Sequence, residues 1–276
     1  MSLLFGTAGV PISAANRSTE SGIRRVKELD LKAMEVEFVQ GVRMKEEKAA
    51  KVREVAIASQ IRLSCHGPYW INFNSREAEK ITASRERLIH AASIAKILGA
   101  GSVVFHPAFY HDDAPELVLT RVVQELMLVR EQLDLAGNDV ILRPETTGKG
   151  SQFGSLEETV QMARAVPGVL PCIDFGHLYA RTQGQINGYD AFSRVLDYTA
   201  ESLGARWNKN VHLHISGVEY GLKGEKRHLA LKDSDFKYEE LLKACLNFEL
   251  EGLAICESPV LEQDALLLQR TYLALT

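Results

Sequence analysis

A carboxylate and an imidazole follow an apolar run in the stretch PCIDFGHLYAR, residues 171–181. Asp174 and His177 lie three residues apart, directly after the hydrophobic residues end. The same two residue types stand in or just after other apolar runs of the chain, at His66, His106, Glu145, His212, His214 and Glu257. This recurrence indicates that separate segments contribute polar side chains to one shared site.

Imidazoles and carboxylates gathered in one place suffer charge repulsion and loss of hydration unless cations lie between them. Donors of these two types, without thiolates, favour zinc or manganese, and iron uses similar ligands. The donors are too numerous for one tetrahedral ion, so the sequence predicts two or three ions with a carboxylate bridging one pair. Metal clusters of this kind hydrolyse phosphoesters, because they activate water and neutralise the attacking and leaving oxygens.

The elements that must position these residues alternate between short apolar runs and helical segments. Eight runs rich in β-branched and apolar residues predict strands at 2–6, 33–39, 61–67, 102–108, 139–145, 170–176, 211–217 and 253–258. Nearly continuous apolar strands that alternate with helices indicate a parallel sheet covered by helices. Eight such units in 276 residues predict a single α/β domain, residues 1–276, folded as a TIM (β/α)8 barrel with its site at the C-terminal rim of the strands.

Local signals predict several of the helices between the strands. Ser155 and Glu158 have capping-box spacing, Gly99 and Gly101 follow a long amphipathic segment, and Pro115 lies near the start of another. A doubly wound open sheet is the alternative fold. That fold more often has a glycine-rich phosphate turn after its first strand, and FGTAGVP does not match G-x-G-x-x-G.

Composition excludes several classes of protein. A net charge of −4 does not suit a protein that coats nucleic acid by charge alone, although a local positive groove is compatible with it. The four cysteines lie in apolar runs without C-x-x-C spacing, which is typical of reduced core thiols in a cytoplasmic protein. The sequence has no signal-peptide pattern and no long apolar run, so no membrane association is expected.

With these motifs in order, the sequence resembles the endonuclease IV family, the zinc-dependent abasic-site endonucleases of DNA repair, as a divergent branch. Seven segments of the chain are similar to family segments in the same order and at closely similar spacing: CHGPYWIN, FHPAFY, RPETTGKGSQFG, CIDFGHLYAR, HISG, KRH and ICESP. The resemblance covers nearly the whole chain. It implies a hydrolase that cleaves the phosphodiester 5′ to abasic sites in double-stranded DNA and that acts as a monomer.

The resemblance also implies which residues bind two or three zinc ions, with Mn²⁺ or Fe²⁺ as alternatives. His66, His106 and Glu145 would bind the first ion, and Glu145 would bridge to the second and act as the catalytic residue. The second ion would also use Asp174, His214 and Glu257, and the third would use His177 and His228. DNA contacts are expected from Tyr69, Asn72, Arg181 and Arg227, and further rim candidates are Trp70, Arg43, Lys149, Lys223 and Lys226.

Three features separate this chain from the family pattern. The family has an aspartate two residues before its last histidine, where this chain has Lys226, with Glu225 beside it. This chain has HISG where the family has HLND, and RPET where the family has LENT. The third metal site is therefore an open question at the level of sequence.

Strand seven offers two imidazoles on one face, His212 and His214, because side chains alternate with a period of two. His214 is nearer the strand end and is the predicted ligand, and His212 is expected to lie deeper and to orient a ligand. His90 is interpreted as structural and His111 as a loop residue.

The alternative function is a metal-dependent sugar isomerase or epimerase of the xylose-isomerase-like superfamily. Such an enzyme would need only Glu145, Asp174, His214 and Glu257. The additional histidines at 66, 106, 177 and 228 would have no role in it.

Overall fold

The computed structural model describes residues 3–276, and the eight predicted strands are present in it; Ser2, the first residue of the predicted strand 2–6, lies outside the described part. The strands are β1 (Leu3–Ala8), β2 (Ala33–Glu37), β3 (Arg62–His66), β4 (Ser102–Phe105), β5 (Ala108–Phe109), β6 (Ile141–Pro144), β7 (Gln152–Phe153), β8 (Ile173–Asp174), β9 (Val211–Ile215), β10 (Gly217–Gly221), β11 (Gly224–Leu229) and β12 (Gly252–Cys256).

The helices lie between these strands, and one 3-10 turn spans Leu231–Asp233. They are α1 (Thr19–Glu28), α2 (Glu46–Ser59), α3 (Ala78–Leu98), α4 (Pro115–Leu135), α5 (Leu156–Ala165), α6 (Phe175–Arg181), α7 (Tyr189–Leu203), α8 (Ala205–Asn208), α9 (Tyr238–Asn247) and α10 (Glu262–Leu275). None of the described helices is long and apolar enough to cross a membrane.

Eight strands form one parallel sheet in the order β6-β4-β3-β2-β1-β12-β9-β8. Parallel bridges between Leu142 and Val169, and between Glu145 and Cys172, join the two ends of this sheet. The backbone N–H of Cys172 donates to Pro144 O at 3.0 Å across the same seam. The sheet is therefore closed into a barrel, which confirms the predicted TIM-barrel fold.

The helices begin and end where the sequence signals place them. Ser155 and Glu158 form a capping box at the start of α5, and Pro115 is the first residue of α4. Gly99 ends α3 with φ +81°, a left-handed conformation that favours glycine. Helix α4 buries one stripe at helical spacing against the barrel: Val118, Val122, Leu126, Val129 and Leu133.

Two small antiparallel sheets lie beyond the C-terminal ends of the barrel strands. β5 pairs with β7, which joins the loops that follow β4 and β6. β10 pairs with β11 in a hairpin, and a bridge between Lys149 and Gly224 attaches this hairpin to the loop after β6. Gly224 has φ +94°, and a Cβ there would meet Gly148 O at 2.1 Å, so only glycine permits this approach.

Candidate metal centre

Glu145 lies at the centre of the polar cluster, directly after β6, and is fully buried. Its Oε2 atom is 3.2 Å from His66 Nε2 and 3.0 Å from His106 Nε2. Its Oε1 atom is 3.0 Å from His214 Nδ1. A carboxylate that faces imidazole nitrogens with both oxygens is in the position of a bridge between two cations.

The first group of donors consists of His66, His106 and Glu145, whose ligand atoms lie within 4.8 Å of one another. His66 ends β3, and its Nδ1 is 2.9 Å from Gly67 O. This contact places a proton on Nδ1 and leaves Nε2 as the atom that faces Glu145. His106 follows β4 and also presents Nε2 to the same carboxylate oxygen.

The second group contains Glu145, Asp174, His214 and Glu257, again with donor atoms within 4.8 Å of one another. His214 Nδ1 is 3.3 Å from Glu257 Oε1. Asp174 caps α6, because its Oδ1 accepts the backbone N–H of His177 at 2.6 Å. Its other oxygen, Oδ2, is buried without a hydrogen-bond partner among the described residues and lies 3.5 Å from His177 Nδ1, so it is a candidate cation ligand.

The third group contains His177 and His228, whose donor atoms lie within 4.8 Å of those of Asp174 and Glu257, and Glu225 is a further carboxylate beside both rings. Glu225 Oε2 is 3.4 Å from His177 Nε2, and Oε1 is 3.7 Å from His228 Nε2. The remaining nitrogens of the two rings lie 2.8 Å from Thr146 O and 2.9 Å from Glu257 O. Both rings therefore present Nε2 to the same space as Glu225.

A β-bulge explains why Glu225, and not residue 226, faces the site. Along the β10–β11 hairpin Glu219 pairs with Arg227, but the next residue, Tyr220, pairs with Glu225. Lys226 is the additional residue, and its amine lies outside at 3.3 Å from Glu219. A regular strand would place the side chains of Lys226 and His228 on one face. The bulge instead places the side chain of Glu225 on the face of His228.

Gly148 makes room for this carboxylate. A Cβ at Gly148 would lie 2.7 Å from Glu225 Cβ and 3.0 Å from His177 Cδ2. A contact of 2.7 Å essentially never occurs between real side chains, so a larger residue would displace Glu225 and press on the His177 ring. The glycine in TTGKG therefore contributes to the shape of the third group.

The separations between donor atoms fit shared cations. Two ligand atoms at about 2.1 Å from one tetrahedral ion lie about 3.4 Å apart. The contacts of Glu145 and Glu225 with the ring nitrogens run from 3.0 Å, between His106 and Glu145, to 3.7 Å, between His228 and Glu225. The arrangement is also open to the mouth of the barrel, where His106 and His228 are partly exposed.

Electrostatics in the cluster favour bound positive charge. Burial would raise the pKa of Glu145, but the charges of His106 and His214 outweigh it and lower this pKa well below its usual value. Burial would lower the pKa of His66, but Glu145 raises it to about 10. Burial raises the pKa of Asp174 to about 7 against the opposing charge of His177. Carboxylates and imidazoles therefore need protons or cations between them.

Two acidic residues that the sequence reasoning missed lie on β2. Glu35 is fully buried inside the barrel. Glu37 stands at the end of the strand and lines the mouth with His66 and Glu257. Although water reaches the Glu37 side chain, the surrounding protein removes much of its hydration and raises its pKa to about 8. The signal was available in AMEVEFV, where two carboxylates alternate within an apolar strand.

The mouth above the donors is a cavity of about 620 Å³. Tyr69 forms part of its wall, with its ring centroid 5.7 Å from that of His66. Tyr69 is 55% exposed and the adjacent Trp70 is 57% exposed, so both rings are available to a bound molecule. Lys149 also lines the cavity and contributes a positive charge at its edge.

The other residues predicted to contact DNA have different surroundings. Arg227 is exposed and forms an ion pair with Glu219 at 2.7 Å. Arg181 donates to the loop after β6, at Thr147 Oγ1, Lys149 O and Gln152 O, and to Tyr110 OH. Asn72 joins its own loop to the next one through Phe109 N and His111. The guanidinium of Arg181 therefore holds the loop after β6 in place at the rim. His90, which was predicted to be structural, is an exposed residue of α3, remote from the strand ends.

The closed parallel barrel, with its polar cluster at the C-terminal ends of the strands, defines a TIM barrel with a candidate multi-metal site. The chain belongs to the xylose isomerase-like TIM barrel family, whose sequence model matches residues 23–271. An uncharacterised protein of Methanocaldococcus jannaschii is 43% identical over 98% of this chain and 97% of that relative.

More distant similarities point to two kinds of protein. A probable endonuclease 4 of Chlorobium phaeobacteroides is 26% identical over 56% of this chain and 55% of its own length. Endonuclease IV from Thermus thermophilus superposes with a TM-score of 0.73 at 22% identity, covering 98% of each chain. A D-tagatose 3-epimerase-like protein gives 0.72 at 16% identity, covering 97% of each chain. These structural similarities show the fold alone, so the site has to decide between the functions.

Proposed function

We propose that this protein is a metal-dependent phosphodiesterase of the endonuclease IV type, which cleaves DNA on the 5′ side of abasic sites. Water would add across the bond between phosphorus and the 3′ oxygen. The products would be a 3′-hydroxyl and a 5′-deoxyribose phosphate. The proposed cofactor is zinc, in three sites, and the ligand types are compatible with manganese or iron.

The observation that supports this proposal most strongly is the third group of donors, His177, His228 and Glu225. Glu225 lies 3.4 Å from one ring nitrogen and 3.7 Å from the other. An isomerase with a single metal would not need these residues. A phosphodiesterase needs several cations, because the attacking water, the phosphoryl oxygens and the leaving oxygen all require stabilisation of negative charge.

Each group of residues has a distinct role in this proposal. The cations, when bound, would lower the pKa of a water molecule and neutralise charge on the phosphate. Glu145 would bridge the first two sites, because each of its oxygens faces imidazole nitrogens of a different group. His66, His177 and His228 have a backbone carbonyl next to Nδ1, which fixes Nε2 as the ligand atom.

The rim would bind the DNA backbone and the lesion. Lys149 and Arg227 are positive groups near the mouth, and phosphate contacts of this kind position a duplex without reading its sequence. The exposed rings of Tyr69 and Trp70 could stack on bases next to the lesion. An abasic nucleotide has no base to unstack, so it can enter a deep mouth at low cost.

Incubation with a duplex that contains one synthetic abasic site tests the proposal. The zinc-loaded protein is expected to cut that strand once, immediately 5′ to the lesion, and to leave the intact duplex uncut. Glu145→Gln keeps the size of the side chain but removes the bridging charge, so it should abolish cleavage while the far-UV circular dichroism stays unchanged. Wild-type cleavage by Glu145→Gln would contradict the role of this residue, and no cleavage by the loaded protein would contradict the function.

A sugar isomerase or epimerase remains the second candidate because the donors of the second group alone could bind one metal. Glu145, Asp174, His214 and Glu257 form that group. Turnover of ketohexoses by the metal-loaded protein, without cleavage of abasic DNA, would favour this candidate.

A further inference from the structure

A buried carboxylate, Glu35, lies beneath the second group of donors in the interior of the barrel. Its side chain has no exposed surface. Oε1 is 2.9 Å from His214 Nε2, and Oε2 is 3.1 Å from His212 Nε2. Ser64 Oγ donates to Oε2 at 2.7 Å. β2, its neighbour β3, and β9 from across the barrel interior thus place polar side chains around one carboxylate.

A fully buried carboxylate is costly for a fold, and an apolar residue of similar size would avoid that cost. Two imidazole nitrogens and one hydroxyl lie within 3.1 Å of its two oxygens, so Glu35 is surrounded by polar partners and not by apolar packing. None of the donor groups described above includes Glu35, so its presence calls for a different explanation.

Carboxylates lie close to both nitrogens of the His214 ring. Nε2 faces Glu35, and Nδ1 faces Glu145 Oε1 at 3.0 Å and Glu257 Oε1 at 3.3 Å. A neutral imidazole has one proton to place. A proton on Nε2, next to the charge of Glu35, leaves the lone pair of Nδ1 directed at the second group of donors.

His212 completes the contacts of Glu35 from below. It is fully buried. Its Nδ1 atom lies 3.3 Å from Ser102 Oγ, and its Nε2 faces Glu35. The serine hydroxyl can donate to Nδ1, which places the ring proton on Nε2 beside the carboxylate. His212 thus brings a second imidazole to the same carboxylate.

We propose that Glu35 is a positioning residue of the second cation site, which fixes the tautomer and orientation of His214 and increases its strength as a ligand. Paired carboxylate and imidazole groups act in this way in metal sites generally, and loss of the outer partner lowers metal affinity by about 10–100-fold. This inference rests on the proposed metal centre, but it does not depend on the substrate. It predicts a defect confined to one of the bound cations.

Glu35→Gln tests the inference, because glutamine has nearly the same shape but no charge. In competition with a chelator, this variant should bind one cation about 10–100-fold more weakly than wild type and the remaining cations with unchanged affinity. The visible spectrum of the cobalt-substituted protein should change, since one imidazole ligand is altered. The matched control is Glu262→Gln, the same change at a buried carboxylate that accepts the backbone N–H groups of Ile12 and Ser13. The control should keep the wild-type spectrum and affinities.

Glu35→Asp is the second variant, for the case in which Glu35→Gln does not fold. It keeps the charge but moves it away from His214, so a smaller loss of affinity for the same cation is expected. Wild-type affinities and an unchanged cobalt spectrum in a folded Glu35 variant would overturn the inference. Failure to cut abasic DNA, with the expected metal results, would refute the proposed substrate and leave the role of Glu35 intact.

Discussion

Replacement of Glu225 by alanine should remove one bound cation and leave the others in place. Glu225 is the carboxylate that the β10–β11 hairpin contributes to this space, and it lies 3.4 Å from His177 Nε2 and 3.7 Å from His228 Nε2. The variant would retain His177 and His228 with Asp174 and Glu257, but would lack the carboxylate of the hairpin. A site with fewer carboxylate ligands is expected to bind zinc more weakly.

The size of the effect follows from the number of ligands that are lost. Removing a residue that only supports a metal ligand costs 10–100-fold in affinity, so removing the ligand itself should cost about 100-fold or more, or about 2.7 kcal/mol. The first two groups do not use Glu225, so their affinities should stay within about twofold of the wild-type values. The fold should also persist, because the hairpin keeps the hydrogen bond from residue 225 N to Gly148 O.

Elemental analysis after removal of excess zinc measures this change directly. Lys226→Ala is the matched control, since Lys226 is the next residue but lies outside the site, beside Glu219. It should bind as many cations as the wild type. The double change Glu225→Ala with Lys226→Asp should not restore the cation, because residue 226 faces outward at the bulge. A wild-type metal count in Glu225→Ala, or rescue by Lys226→Asp, would refute the assignment and the register of the hairpin.

Three further outcomes are expected. Zinc loading at pH 7 should release protons, because Glu145 raises the pKa of His66 to about 10 in the cation-free protein and a bound cation requires the neutral ring. The affinity for zinc should therefore rise from pH 7 towards pH 10. A binding enthalpy that does not depend on the buffer would contradict this proton release. Lys149→Ala should weaken DNA binding and reduce the slope of log affinity against log salt by about one; an unchanged slope in a filter-binding titration would exclude a phosphate contact. Arg181→Ala should destabilise the fold by about 2 kcal/mol and lower Tm by about 4–8 °C in calorimetry. The reason is that the loop after β6 loses the donor shared by Lys149 O and Gln152 O. An unchanged Tm would contradict that role.

The barrel could be predicted from the sequence because its strands are short, apolar and regularly spaced. The run SVVF, for example, is buried at all four positions of β4, as expected for a parallel sheet covered on both faces. The positions of His66 and His106 at the ends of two such runs placed them on one rim, since the C-terminal ends of parallel strands meet there. Local patterns therefore contained the fold and the positions of these donors.

His177 and His228 were predicted for the third group, but the place of Glu225 beside them could not be predicted because it depends on a bulge. Strand periodicity places Lys226 and His228 on the same face, and only the irregular pairing of Tyr220 with Glu225 reverses that assignment. No local pattern in GLKGEKRH distinguishes a bulged hairpin from a regular one. The bulge also depends on contact with Gly148, which is distant in sequence.

Glu35 was missed for a different reason. The alternation of two carboxylates in AMEVEFV was visible, but a half-buried strand with polar residues facing water has the same pattern. Only the closed barrel shows that the face of β2 with Glu35 is interior and that His212 and His214 lie opposite. A polar residue on a strand can therefore be assigned to the interior only after the topology is known.

The number of cations bound per chain tests the central claim most directly. Protein purified without chelator, saturated with zinc and freed of excess metal should contain three equivalents by elemental analysis, one for each group of donors around Glu145, Glu257 and Glu225. Two equivalents would contradict the third group. One equivalent or none would contradict the multi-metal centre, and with it the proposed phosphodiesterase.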